Sequence, residues 1–345
     1  MKKLFVLWMV MAFLAVPVSA ELTAPEVPES GRDLMPENPR DFGQALQEIL
    51  RQLLPKLAPE FTRAMQTGAG LIAACMLVAL LHPGEGAIGK AGDIVGAVAI
   101  AAMLLSGTGT MIRLGAQTIT EMSEYEKLLL PVMTAAMAAQ GGAGTATALY
   151  VAAAGFNTLL SRLLVTLLLP VQYLFLAAAT AGSVLGSDTL KGLKNTIRDL
   201  LLWCLKTLLS LFSGFLGITG VISGSADAAA VKLTKTAVST VVPVVGSVLA
   251  EVSETVLVGA GVVRSTIGVY GILAVLAVFL EPFCRIGIQY LVLKLAAGQC
   301  AIFGTKAMTG LVGDFSEVMR MLLGMTGAMC ILLLVSTVCL LKGVS

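Results

Sequence analysis

Arg162, Lys206, Arg264, Glu281, Arg285 and Lys294 stand inside stretches otherwise apolar enough for the interior of a bilayer. An ionisable group in hydrocarbon costs on the order of a few kcal/mol, so it faces a bundle interior, a partner or a water-filled path, unless it sits near a span end and snorkels to the headgroups. Lys206 and Lys294 read as snorkelling side chains. For Arg162 and for Glu281 with Arg285, both readings stand. Glu281 and Arg285 are four residues apart, the spacing of an ion pair on one helix face, and Pro282 between them opens the backbone.

A second set of charges lies in TVVPVVGSVLAEVSETVL, residues 240–257. Glu251 and Glu254 share a helix face with Ser247, while valines and Leu249 cover most of the rest. Pro243, which has no amide hydrogen, is tolerated in a first turn, and Gly246 follows it. The pattern suits a broken or re-entrant helix lining an aqueous space, or an amphipathic helix at the interface. The candidate pore-facing or partner-facing set is therefore Glu251, Glu254, Arg264, Glu281, Arg285 and Arg162. The candidate helix breaks or hinges are Pro131, Pro170, Pro243, Gly246 and Pro282.

Catalysis has little to work with. The one histidine, His82, precedes Pro83 at a span end, and no metalloprotease, nucleophile-elbow or phosphate-loop motif occurs. The six cysteines are scattered singly through apolar segments and read as small buried hydrophobes. The expectation is a protein with no enzymatic activity, no cofactor and no metal.

The elements that must position these residues follow from composition. Of 345 residues, 57% are hydrophobic and 13% charged, and the mean hydropathy is +0.91. Soluble domains carry about 25% charged residues, so this is an all-α, polytopic integral membrane protein. A net charge of +2 with no long basic run excludes nucleic acid as a partner. Residues 1–20 have the basic start, apolar run and small-residue end of a cleaved signal peptide. Residues 21–66 form an extracytoplasmic polar lead followed by an amphipathic helix, with Leu46, Ile49, Leu50, Leu53, Leu54 and Leu57 at helical spacing. Residues 67–345 form the membrane domain.

Spans are expected near 68–82, 94–112, 145–168, 170–186, 199–222, 256–280, 283–300 and 322–341. Two interrupted segments, 128–143 and 236–254, each cross, dip in or lie flat, which makes about eight to ten spans, some broken or re-entrant. Leu129-Leu130-Pro131-Val132 and Val241-Val242-Pro243-Val244 are each followed by another proline 39 residues on, Pro170 and Pro282. This spacing suggests an internal repeat over about 94–186 and 206–300. Lys191, Lys194 and Arg198 place the loop SDTLKGLKNTIRD in the cytoplasm by the positive-inside rule. Gly92/Gly96, Gly182/Gly186 and Gly220/Gly224 have the spacing that lets helices approach closely.

The run SGSADAAAVKLTKTAVSTVVPVVGSVLAEVSETVLVGAGVVRSTIGVYG combines a basic approach (Lys232, Lys235), VVPVVG, an acidic turn (Glu251, Glu254) and a Gly/Ser-rich span with Arg264. It resembles the stage III sporulation protein AE family, and the resemblance extends from about residue 70 onward. It implies a role in endospore formation. The implied role is that of a channel, permease-like or export-gate subunit in the secretion-type channel complex between mother cell and forespore. The implied partners are the other proteins of the stage III sporulation A operon, including an ATPase and ring-forming subunits. Stage II sporulation protein Q of the forespore is an indirect partner, and a homo-oligomer is compatible. The implied location is the mother-cell membrane surrounding the forespore. The alternative read from the residues is a stand-alone secondary transporter of a small solute or ion, since such proteins use broken helices with carboxylates near the midplane.

Overall fold

A computed structural model defines residues 25–36, 42–81, 87–137, 143–222, 266–303 and 306–342. The expected signal peptide and the segment holding Pro243, Gly246, Glu251, Glu254 and Arg264 lie outside the described residues. The regular elements are helical: α1 (Glu29–Arg32), α2 (Phe42–Leu81), α3 (Ala87–Met137), α4 (Ala143–Arg162), a π-helical turn (Leu163–Leu168), α5 (Leu169–Leu185), α6 (Asp188–Ile222), α7 (Thr266–Phe303) and α8 (Lys306–Lys342).

Five stretches are long and apolar enough to cross a membrane: Phe42–Leu80, Ala91–Ala136, Tyr150–Leu185, Gly268–Ile302 and Lys306–Val338. This corrects the expected count for the described part of the chain, because segments read as separate spans belong to single helices. Positions 94–112 and much of 128–143 lie on α3. Most of 145–168 and 170–186 lies on the rod formed by α4, the π turn and α5, and 283–300 continues the end of 256–280 on α7. Helices continue through Pro131 and Pro282, where the sequence suggested a break. A proline costs one amide donor and displaces one carbonyl, which adjacent helices and small local adjustments make good. Pro170 comes just after the π turn, within the continuous helical rod, where the widened turn accommodates a residue that lacks an amide donor. The expected boundary at 66–67 falls inside α2, so the amphipathic helix and the first span are one 40-residue element.

Side-chain pairings fix the helix directions. Lys56 meets Glu281, and Gly68 lies against Val292, so α2 and α7 run parallel. Gly96 lies against Met308 and Gly115 against Leu322, so α3 and α8 also run parallel. Lys194 pairs with Asp314 and Leu205 covers Gly324, which gives α6 and α8 the same direction. Three hairpins, α2–α3, α5–α6 and α7–α8, thus point the same way. Their centre is α7–α8: 78% and 83% of the most apolar windows of these two helices are buried, against 22% for α2. Phe279 and Phe283 stack along α7 with ring centroids 4.6 Å apart.

Two glycines are required by geometry. A β-carbon on Gly31 would lie 2.8 Å from the backbone nitrogen of Val278, so α1 docks on α7 only because residue 31 has none. Gly186 has φ 63° and turns α5 into α6 with the help of Ser187, so the expected cytoplasmic loop carrying Lys191, Lys194 and Arg198 is instead the opening of α6. Of the close-approach pairs, Gly96 touches Met308 and Val78, while Gly182 lies against Leu190 inside the α5–α6 hairpin.

The helices are longer than a bilayer is thick. At 1.5 Å per residue α2 is about 60 Å long and α3 about 76 Å, whereas the hydrocarbon core spans about 30 Å. The exposed face of α3 changes accordingly, from Val95, Val98, Met103 and Leu105 to Arg113, Gln117, Thr120, Glu124 and Lys127. On α2, Met76, Leu77 and Leu80 are exposed near one end and Arg51, Thr62 and Arg63 near the other, with Leu50, Leu54 and Phe61 interspersed among the latter. On α2 and α3 the apolar exposed surface thus lies towards the hairpin turn and the polar exposed surface towards the far end, whereas α6 opens with exposed charges at its turn and carries exposed Leu200, Trp203 and Leu211 further on. With single cysteines, a membrane-impermeant maleimide should label Gln117→Cys and Glu124→Cys rapidly in membranes, and Val98→Cys and Leu105→Cys only after detergent is added. Equal labelling at all four positions would place the boundary elsewhere.

Candidate functional site

The helices α1, α2 and α7 are joined by charge. Asp33, just after α1, contacts Lys56 of α2 at 3.3 Å, and Lys56 reaches Glu281 of α7 at 3.8 Å. Glu281 holds Arg285 at 2.8 Å, one helical turn on. Arg285 returns to Glu60 of α2 at 3.8 Å, and Glu60 meets Arg63 at 3.4 Å. The signs alternate along all six groups. Glu281 is 16% exposed and Arg285 32%, so the centre of the chain is shielded while Asp33 and Arg63 reach solvent.

Local sequence sets this geometry. Four-residue spacing places Lys56 and Glu60 on the face of α2 that meets α7, opposite Glu281 and Arg285 at the same spacing and in the same direction. Carbonyls left unbonded by Pro55, Pro59 and Pro282 lie in the same region, which tolerates polar groups because water reaches its edges. Arg285 Nε is buried and unpartnered, so the pair has one donor to spare.

A second polar contact lies nearer the hairpin turns. Lys194 Nζ donates to both carboxylate oxygens of Asp314 at 2.8 Å, with the two side chains 19% and 14% exposed. One turn along α8, Arg320 pairs with Glu317, and Gln172 of α5 donates to the Val318 carbonyl at 3.4 Å. These bonds tie α5 and α6 to α8 where small and apolar side chains alone would give no fixed register.

The structure thus brings Glu281 and Arg285 together and adds partners that sequence reading missed. Lys56 and Glu60 were hidden in what reads as a surface helix, and Asp314 in the stretch between the expected spans 283–300 and 322–341. The available signal was the repeated four-residue spacing of opposite charges beside prolines. Arg162 lies apart from this network, exposed at the end of α4 before the π turn. Lys206 and Lys294 are exposed and lie outside this network. Among the described residues no cluster of three or more His, Cys, Asp or Glu side chains could hold a metal ion.

A helical, multi-pass membrane protein with charge-stitched hairpins is the class these features define. The family model for stage III sporulation protein AE matches residues 37–343, and the chain belongs to that family. It is similar to stage III sporulation protein AE of Bacillus subtilis (strain 168), with 19% identity over 225 residues. The match covers 65% of this chain and 56% of that relative's length. No solved structure matches.

The charge chain predicts coupling between α2 and α7. Glu281→Gln should lower the stability of the detergent-solubilised protein by about 1–3 kcal/mol, because Lys56 and Arg285 each lose a shielded partner. The double variant Lys56→Gln/Glu281→Gln should lose less than the two single variants together, as read from melting midpoints. Strict additivity would mean that α2 and α7 are not held through these charges.

Proposed function

We propose that this protein is a non-enzymatic membrane subunit, a channel or export-gate component, of the secretion-type complex that joins mother cell and forespore during endospore formation. The observation that carries this reading is the family match across nearly the whole membrane domain, residues 37–343. Two structural features support it. The bundle is long enough to present a structured face outside the bilayer, where partners of an intercellular assembly dock. Among the described residues its shielded ion pairs lie at helix interfaces, as in a scaffold.

On this reading the protein resides in the mother-cell membrane around the forespore. It works with the other proteins of the stage III sporulation A operon, among them an ATPase and ring-forming subunits, and indirectly with stage II sporulation protein Q; self-association would complete a path. The face carrying Glu281 and Arg285, together with Glu251, Glu254 and Arg264, meets those partners or the path itself, while Pro131, Pro170, Pro243, Gly246, Pro282 and Arg162 shape the helices around it. Clean deletion of the gene should abolish forespore gene expression after engulfment and the formation of heat-resistant spores, with the wild-type copy restoring both. A normal spore yield from the deletion strain would refute the assignment.

A further inference from the structure

Glu126 is buried between α3 and α4, only 3% exposed, on the part of α3 whose outer face is polar. Asn157 of α4 is fully buried and donates its Nδ2 hydrogen to Glu126 Oε1. One turn along the same antiparallel seam, Ser123 donates to Ser161 at 3.1 Å, and Ser161 donates to the Thr158 carbonyl at 3.3 Å. Among the described residues Glu126 has no ion-pair partner.

Its surroundings supply little charge. Lys127 and Glu124 on the same helix point to solvent, and Glu121 is occupied by Ser30 and Gln117. On α4 the other titratable groups are Tyr150 and the exposed Arg162. Between Thr266 and Leu280, α7 contributes one titratable side chain, Tyr270, and between Met321 and Leu341, α8 contributes cysteines alone. A buried carboxylate without a cation is costly. A second anomaly lies on its partner: Asn157 Oδ1 is buried and accepts no hydrogen bond.

One proton resolves both. We propose that Glu126 carries its proton at neutral pH and donates it to Asn157 Oδ1, so that acid and amide close a ring of two hydrogen bonds clasping α4 to α3. The bound species is a proton, and the clasp makes the α3–α4 joint sensitive to pH. Since α4 leads through the π turn into α5, this joint governs how the α5–α6 hairpin is held.

Glu126→Gln tests this, because a glutamine amide makes the same two bonds without a proton. An unfolded glutamate releases its proton near pH 4.3, whereas the folded clasp keeps it, so the folded state binds more protons and the wild type loses stability as pH rises. For the full chain in detergent, melting midpoints of wild type and Glu126→Gln should be close at pH 5, and the wild type should fall progressively below the variant towards pH 9. An infrared carbonyl band of a protonated carboxyl, lost in Glu126→Gln, should accompany this. A midpoint gap that does not change with pH, a variant less stable throughout, or a gap that follows sodium concentration instead of pH would overturn the proposal.

The hairpins carry a second inference, independent of Glu126. Each first helix holds a Leu-x-Pro, at 57–59, 168–170 and 280–282, counting α4, the π turn and α5 as one rod. Each second helix holds a Leu-(Ser/Gly)-x-Thr-Gly, at 105–109, 216–220 and 323–327. Proline and threonine are 49 residues apart in the first two hairpins and 44 in the third. We infer that the membrane domain is a parallel array of three tandem hairpin units, in place of the two-copy repeat over 94–186 and 206–300. Single cysteines at Gly84, Ser187 and Thr305, which lie in sequence between the two helices of each hairpin, should all react with an impermeant reagent from the same side of the membrane. Labelling of any one of them from the opposite side would exclude a parallel array.

Discussion

The mutual burial of α7 and α8 is the contact on which the other helices depend. Hydrocarbon offers apolar side chains as good an environment as a neighbouring helix does, so association inside a bilayer rests on close approach and on polar bonds. Water imposes no such neutrality. Along Gly268–Leu280 nearly every side chain of α7 is enclosed, and facing residues of α8 such as Leu333 and Leu334 are equally buried. That enclosure occurs where the outer faces of α2 and α3 are polar, and there the hydrophobic effect operates at its usual strength. The enclosed α7–α8 block is thereby the base of the bundle, against which the more exposed helices pack.

The charges make sense on this base. Beside the enclosed block, α2, α3 and α7 all change character, at Lys56–Arg63, Arg113–Lys127 and Glu281–Arg285. Isolated surface ion pairs contribute little, but alternating charges on two parallel helices set a register, because a shift of one turn would bring like charges together. Lys194 and Asp314 do the same for α6 against α8 at the other end. Glycine contacts complete the fit: Gly68 against Val292, Gly96 against Met308 and Gly271 against Leu129 admit close approach where side-chain bulk would hold the helices apart.

Much of this was legible in the sequence, and the misses have a common cause. Composition alone gave an all-helical membrane protein, and the i,i+4 spacing of Glu281 and Arg285 gave their pairing. Segmentation failed because hydropathy was read against the thickness of one bilayer. A polar interval such as Arg113–Lys127 looks like a loop when every helix is assumed to end at the membrane surface, yet it is the wet face of a continuing helix. Prolines reinforced the error: Pro131 and Pro282 are strong break signals in isolation, and only neighbouring helices show that the backbone runs on. Lys56 and Glu60 were missed for the complementary reason, since an amphipathic stretch reads as a surface element until its polar face finds a partner.

Helix direction also distinguishes this bundle from an inverted-repeat architecture. An inverted-repeat carrier works by rocking two halves of opposite orientation about a midplane site. In this bundle the hairpins share one direction, and the two most buried helices are locked together along their length. Movement of α7 against α8 would break the core that supports everything else. The elements left free to move are peripheral: α5 and α6, held to α8 by Lys194 and Gln172, and α4, joined to α3 through Asn157 and Ser161. The central α7–α8 hairpin is thus the most enclosed part of the bundle, and the α4–α6 flank is attached to it through fewer buried contacts.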